Sequence, residues 1–297
     1  LKHTFTEFAQ RMKNDEMITL AKFLAISGII LPMLPHKNLI PDVNLTPYSI
    51  WLATVVVSGI SYLSYLLKRY VFHESGTLVS GIIGGLYSST ATISVLARKS
   101  RKASEQEATD YVAAMLLAVS MMFLRFMILI LIFSREIFLS IYPYLLTMAV
   151  VAAIVAWFIH SRQKRPEDQP AETEEDDSSN PLEFKVALIF AVLFVIFTFL
   201  THYTLVYAGT GGLNLLSFVS GFSDITPFIL NLLQNTGSVA ALIITACSMQ
   251  AIISNIMVNM FYALFFAGKG SKLRPWILGG FGVVIACNLV LLLFFYI

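Results

Sequence analysis

Long apolar runs dominate this sequence and restrict what it can fold into. Each of the seven runs is close to the roughly 20 residues that a helix needs to cross a bilayer. Only 13% of the 297 residues are charged, far fewer than the surface of a soluble domain requires. This excludes a soluble enzyme, a disordered chain and a nucleic-acid-binding protein, and predicts an all-α polytopic protein in a lipid bilayer. The runs lie at 17–34, 48–67, 110–133, 137–159, 184–203, 238–266 and 275–297.

Two further apolar segments, 76–97 and 207–233, are interrupted at their centres by Gly, Ser and Thr. They can cross the membrane as kinked helices or enter and return as re-entrant hairpins. Lysine and arginine concentrate on the cytoplasmic side of membrane proteins, which separates the two interpretations. If both segments re-enter, essentially only Lys37 and Arg135 lie opposite the other basic residues. We therefore predict two hairpins, a cytoplasmic amino terminus and an external carboxyl terminus.

A hydrophilic insert divides the chain into two comparable halves. Residues 161–180 begin with basic side chains and continue with a run of acids, which predicts a disordered cytoplasmic linker. The parts 47–160 and 181–297 each contain three spans and one hairpin, so an odd number of crossings predicts an inverted repeat. The segment 1–46, with the first helix, stands outside this repeat. Because Leu1 is neither a Met nor the start of a signal sequence, we expect a processed or truncated chain.

The central breaks of the two hairpins align with one another. The sequence GGLYSSTAT at 84–92 falls on SGFSDITPF at 220–228. Gly84 permits a tight reversal, and Ser89 stands where a second half-helix would begin. Such a break can offer backbone amide groups to an anion, or hydroxyl and carbonyl oxygens to a cation. Alternatively, its residues serve only as helix caps and small packing residues. The paired positions are Gly85 with Gly221, Ser88 with Asp224, and Thr90 with Thr226.

Two ionisable residues lie deep in apolar segments. Burying an ionisable side chain in a membrane costs free energy, so such a residue is by default a candidate for a functional site. Asp224 can hold a metal ion, carry a proton or cap the half-helix that contains Thr226. Arg125 can pair with Asp224 or with hairpin carbonyl groups, or it can contact an anionic substrate. We expect Arg125 and Asp224 to lie within reach of one another or of a shared ion.

A stripe of polar residues follows one face of the run at 238–266. Ser248, Asn255 and Asn259 are spaced seven and four residues apart, so they can form hydrogen bonds between helices or line a pore. Cys247 and Cys287 each lie in an apolar run and are interpreted as packing residues. Because no nucleophile and base can be paired, we expect neither enzymatic activity nor a cofactor.

Several motifs resemble a known family. GIIGGLYSSTATISVLARKSR at 81–101, MFLR at 122–125 and SGFSDI at 220–225 resemble the membrane domain of unknown function that follows MgtC/SapB-type domains in bacteria and archaea. The resemblance implies a protein of the prokaryotic inner membrane with a link to magnesium homeostasis. It does not extend to MgtC-like amino-terminal helices, and the second hairpin lacks the family's usual pair of acids. The matching positions are Gly84, Gly85, Ser88, Ser89, Thr90, Arg125, Asp224 and Asn255.

These features predict an ion channel or secondary transporter in which the two hairpins meet near the membrane centre. The preferred substrate is a divalent cation, Mg²⁺ first, held by Asp224, the hydroxyl groups of 88–90 and Asn255. One alternative is an anion held by Arg125 and the half-helix amino termini. Another is a regulatory membrane protein that does not transport and binds a partner through the linker. A homodimer is a further possible assembly.

Overall fold

The computed structural model describes residues 14–41, 43–71, 76–101, 103, 105–162, 184–234, 239–268 and 271–296. Within these ranges the regular structure is helical apart from one isolated antiparallel bridge between Ile40 and Val43, which confirms the all-α class. The predicted linker, from residue 163 onwards, lies outside the described residues. The helices are α1 (Asn14–Met33), α2 (Pro47–Leu66), α3 (Thr77–Lys99), α4 (Glu105–Phe133), α5 (Arg135–Ser161), α6 (Phe184–Ser220), α7 (Ile225–Gln234), α8 (Ala241–Ala267) and α9 (Arg274–Tyr296).

Seven helices of the described residues are long and apolar enough to cross a membrane, and they confirm a multi-pass membrane protein. Six of them, α2, α4, α5, α6, α8 and α9, coincide with predicted runs, and α3 is the seventh. The helix predicted at 17–34 also forms, although its apolar part, Met17–Met33, is shorter than the others. Large apolar side chains such as Leu146, Ile196 and Leu293 face outward, as contact with a bilayer requires.

Helix α3 is broken at its centre. Ser88 leaves the helical conformation with φ −159° and ψ 107°. A Cβ atom added at Gly84 would lie 2.8 Å from Thr92 Cγ2, although residues eight apart in a continuous helix are separated by about 12 Å. The chain therefore folds back at Ser88. We call the two arms, 77–87 and 89–99, the first hairpin.

Helix α6 also folds back on itself. Gly209 has φ 58° and ψ −152°, a conformation that favours glycine. A Cβ atom added at Gly212 would lie 2.8 Å from Thr204 Cγ2, so the arm 210–220 returns along the preceding span. Thus the long apolar helix contains one membrane-length part, 184–208, and one short arm.

The returning arm continues through a turn at 221–224 into α7. The side-chain Nδ2 of Asn231 in α7 donates to Thr198 Oγ1 at 2.7 Å, and the centre of the Phe228 ring lies 5.6 Å from that of the Phe197 ring. Helix α7 therefore runs along the first part of α6, opposite to the arm 210–220. We call 210–220, the turn and α7 the second hairpin.

Each hairpin packs closely on a long helix at the same spacing. A Cβ atom added at Gly85 would lie 2.5 Å from Ala118 Cα in α4, and one added at Gly221 would lie 2.8 Å from the backbone nitrogen of Asn255 in α8. The side chain of Ser254 also meets Gly221, so each glycine meets a residue 33 positions further along the chain. The order of hairpin, long helix and last helix thus recurs in both halves.

Candidate functional site

A central cavity of about 440 Å³ forms where the tips of both hairpins meet. Its walls come from α2, α4, the first part of α6 and α8, while the hairpins supply the residues around their breaks. The polar lining consists largely of hydroxyl groups. The polar residues of the wall are Ser58, Ser61, Tyr87, Ser88, Ser89, Thr90, Arg125, Ser223, Asp224, Thr226, Asn255 and Tyr262.

Most of the residues singled out by the sequence line this cavity. The lining includes Gly85, Ser88, Ser89, Thr90, Arg125, Asp224, Thr226 and Asn255. Three others lie outside its wall. Gly84 packs against Thr92 inside the first hairpin, Ser248 Oγ donates to the carbonyl of Ile244, and Asn259 Nδ2 donates to Asn255 Oδ1. These three therefore support the wall or the helix and do not face the cavity.

Arg125 reaches the tip of the first hairpin from α4. Its Nη1 donates a hydrogen bond of 2.6 Å to the carbonyl oxygen of Tyr87, directly before the break at Ser88. Its Nε is fully buried and has no hydrogen-bond partner within the described part of the chain. The guanidinium group thus holds the tip in place, and its Nε is a donor that no described residue satisfies.

Asp224 occupies the tip of the second hairpin. Its Oδ1 accepts the backbone N–H of Thr226 at 2.9 Å, which caps the first turn of α7. The side chain is exposed towards the cavity that it lines. Its negative charge acts on Arg125, but no ion pair joins the two side chains directly in the described structure. The two charges share one cavity without neutralising each other by contact.

Both half-helix amino termini border the cavity. Ser88 Oγ accepts the backbone N–H of Ala91 at 3.3 Å and caps the second arm of the first hairpin. The first residues of this arm and of α7, Ser89 and Ile225, belong to the cavity wall. Helix amino termini carry partial positive charge, so the two hairpins add to the positive potential that Arg125 creates.

Helix α8 holds the second hairpin through side chains. Ser254 Oγ donates to the carbonyl of Phe218 at 2.7 Å, and Asn255 Nδ2 donates to the carbonyl of Gly221 at 3.2 Å. Asn255 in turn accepts from Asn259 at 3.1 Å. The predicted polar stripe of α8 therefore serves chiefly to position the turn, with Asn255 reaching the cavity.

The end of the first hairpin and the residues directly after it are attached to the carboxyl-terminal end of α8. Arg101 donates from Nε to the carbonyl of Phe266 and from Nη2 to the carbonyl of Phe265, the latter at 3.2 Å. The Arg98 guanidinium lies 4.4 Å from the Phe266 ring centre. Cationic side chains at a helix carboxyl terminus are favourable, so these arginines join the first hairpin to α8.

Sequence reasoning missed several residues of the wall. Ser58 and Ser61 of α2 lie three positions apart on one helical face, which was an available signal. Tyr87, Ser223 and Tyr262 gave no comparable signal because nothing local shows which way they point.

Comparison with known proteins places this architecture in a family. Residues 55–267 match the family described as "Domain of unknown function (DUF4010)", a range that includes both hairpins and the whole cavity wall. A protein of Aquifex aeolicus (strain VF5), named "Uncharacterized protein", is 24% identical over 227 residues. The similarity covers 74% of this chain and 96% of that relative. No solved structure matches the chain.

Proposed function

This chain belongs to the DUF4010 family, and we propose that it is a channel or secondary transporter that moves a small ionic solute through the central cavity. The supporting observation is the meeting of two broken-helix tips, Arg125 and Asp224 in one cavity of about 440 Å³. Charged side chains and irregular backbone are tolerated at membrane depth where they line such a cavity. Transport of this kind includes no covalent chemistry, and we propose no enzymatic activity.

The hairpins of this proposal enter the membrane and return. Each arm of the first hairpin has about 11 residues and a length of about 16 Å, roughly half of the hydrocarbon core. An arm of this length reaches the middle of the bilayer and does not cross it. Together with the distribution of basic residues, this favours an inverted arrangement in the inner membrane with a cytoplasmic amino terminus.

The cavity offers groups that could bind either a cation or an anion. A divalent cation would find a carboxylate at Asp224, an amide oxygen at Asn255 and several hydroxyl groups. An anion would find the Arg125 guanidinium, which lines the cavity, and two helix amino termini. Transport of Mg²⁺ and the link to MgtC/SapB-type domains stay predictions. The alternative of a regulator that acts through the linker also stays a prediction.

Reconstitution tests transport directly. Protein in liposomes should move ²⁸Mg²⁺, acetate or alanine tracers, and we expect the flux to fall at least tenfold in Arg125→Met and Asp224→Asn. Arg162→Met and Asp110→Asn are matched controls, because Arg162 stacks on Phe158 and Asp110 pairs with His160, both outside the cavity wall. Wild-type flux in both cavity variants would show that solutes do not pass through this cavity.

Cysteine labelling tests the hairpin arrangement. In a background without Cys247 and Cys287, we expect Lys68→Cys and Lys99→Cys to be shielded from a membrane-impermeant thiol reagent outside intact cells. Lys37→Cys is the external control and should be labelled. Labelling of only one of the first two positions would show that the first hairpin crosses the membrane.

A further inference from the structure

The cavity holds one positive and one negative side chain that do not form a direct ion pair. Isolated charges in a low-dielectric region are costly, so each is expected to have another partner when the site is in use. We infer that the cavity binds a zwitterionic solute, with an anionic group at Arg125 and an ammonium group at Asp224. A small amino acid belongs to this class. The inference rests on the proposed transport function and names its substrate class.

The anionic half of the solute is assigned to Arg125. The Arg125 side chain lines the cavity and is only partly buried. Its Nη1 is occupied by the carbonyl of Tyr87, and the accessible remainder of the guanidinium is available to a solute. A carboxylate accepts hydrogen bonds from a guanidinium in a fixed planar geometry, which matches a donor of this kind. The amino-terminal residues Ser89 and Thr90 of the second arm line the same cavity and add partial positive charge.

The cationic half is assigned to Asp224. Its Oδ1 is used to cap α7, which leaves Oδ2 for an ammonium group in the cavity. The hydroxyl groups of Ser223 and Thr226 lie in the same wall and are acceptors for the remaining ammonium hydrogens. A simple anion would leave this carboxylate uncompensated, and a metal cation would leave Arg125 uncompensated.

The size and the apolar part of the cavity agree with an organic solute. A volume of about 440 Å³ lies within the range of about 300 to 1,000 Å³ that is usual for small-molecule sites. Phe126, Phe190 and Val258 form part of its wall and can surround an aliphatic side chain. The cavity thus offers two opposite charges and an apolar surface, as an amino acid requires.

Binding to the purified protein in detergent tests the inference. The probes are L-alanine, acetate, methylammonium and MgCl₂, measured by the dependence of the melting temperature on probe concentration. We expect alanine to bind at least tenfold more tightly than acetate or methylammonium. Arg125→Met should lose alanine and acetate binding, whereas Asp224→Asn should lose the preference for alanine and keep acetate binding. If the Met variant fails to fold, Arg125→Lys takes its place. This variant keeps the charge without the planar donors and should weaken alanine binding.

The outcomes separate this inference from the proposed function. Equal binding of acetate and alanine, or binding of Mg²⁺ alone, would overturn the zwitterion and define a simple ion site. Liposome flux of acetate or Mg²⁺ without flux of alanine would overturn the zwitterion and leave transport intact. Alanine binding that responds to both variants, without flux of any probe, would support the zwitterion site and overturn transport.

Discussion

The two hairpins meet at one cavity but are held in different ways. The first reverses at a single residue, Ser88, and packs closely on the backbone of α4 at Gly85. The second reverses over four residues, of which Phe222, Ser223 and Asp224 are exposed, and side chains of α8 hold it. Arg125 also bonds the first tip and Gly221 also packs on α8, so the hairpins differ in the balance of these contacts. The first depends more on backbone packing, which tolerates little displacement, and the second more on side-chain hydrogen bonds, which can be released. The difference indicates a fixed wall on one side of the cavity and an adjustable wall on the other.

The largest expected effect is a clash in the first hairpin. Gly85→Ala places a methyl group 2.5 Å from Ala118 Cα, so we expect a loss of about 3 kcal/mol in thermal unfolding in detergent. Gly221→Ala is also destabilising, but its clash is partly with the Ser254 side chain, and Ser254→Gly should restore part of the loss.

For Gly85→Ala, shortening a neighbouring side chain should not restore stability, because the added methyl group clashes with the backbone of Ala118. Gly59→Ala is the control, since nothing lies within 4 Å of its added Cβ atom and α2 should be unchanged or slightly more stable. Rescue of Gly85→Ala by Ala118→Gly would show that the first hairpin is no more fixed than the second.

The next effect concerns Arg125 and Asp224. Arg125→Met removes a charged hydrogen bond to the first tip and should cost about 2 kcal/mol. Asp224→Asn keeps an oxygen for the cap and should cost less. The two charges act on each other across the cavity without a direct ion pair. Melting of the two single variants and the double variant without added solute should therefore give losses that add to within about 1 kcal/mol. Recovery of stability in the double variant would instead reveal a structural pair.

A smaller effect should be confined to the second hairpin. Asn255→Ala removes the hydrogen bond to Gly221 and the acceptor for Asn259, at a cost of about 1.5 kcal/mol. Hydrogen exchange should accelerate at 221–224 and stay unchanged at 87–90. The control is Ser248→Ala, in the same helix, where the hydroxyl donates to the carbonyl of Ile244 within that helix. Equal acceleration at both tips would contradict independent attachment of the hairpins.

The smallest effects come from the two caps. Ser88→Ala and Asp224→Ala should each cost about 1 kcal/mol, with the loss larger for Asp224 because its bond of 2.9 Å is shorter than the 3.3 Å bond of Ser88. Asp224→Ser keeps a capping oxygen and should melt close to the wild type. A larger loss for Ser88→Ala would mean that the first tip depends on its cap more than on its packing.

The helices of this fold were largely predictable, because membrane spans and the breaks within them are encoded by the local sequence. Runs of apolar residues determined the helices, and Gly, Ser and Asp marked both tips. The reversal at Gly209 was less evident, since the span and the returning arm are both apolar. Position along a helix decided the rest: the cavity wall extends along α8 from Asn255 to Tyr262, so Ser248, about 10 Å before Asn255, lies beyond it. The shared face of Ser58 and Ser61 in α2 was visible in the sequence, whereas the contribution of Tyr262 depended on packing between distant elements, which no local pattern encodes.

The length of the arms has an electrical consequence. In the proposed re-entrant arrangement, a solute bound at the tips lies about 16 Å from one surface and has crossed roughly half of the membrane potential. A monovalent ion would gain or lose about 1.2 kcal/mol per 100 mV on reaching that depth, half of the full value for one charge. A zwitterion carries no net charge and would reach the same depth at almost no electrical cost. With the proposed arrangement, the occupancy of the cavity by an amino acid would therefore be insensitive to voltage, and any current would report a coupled ion.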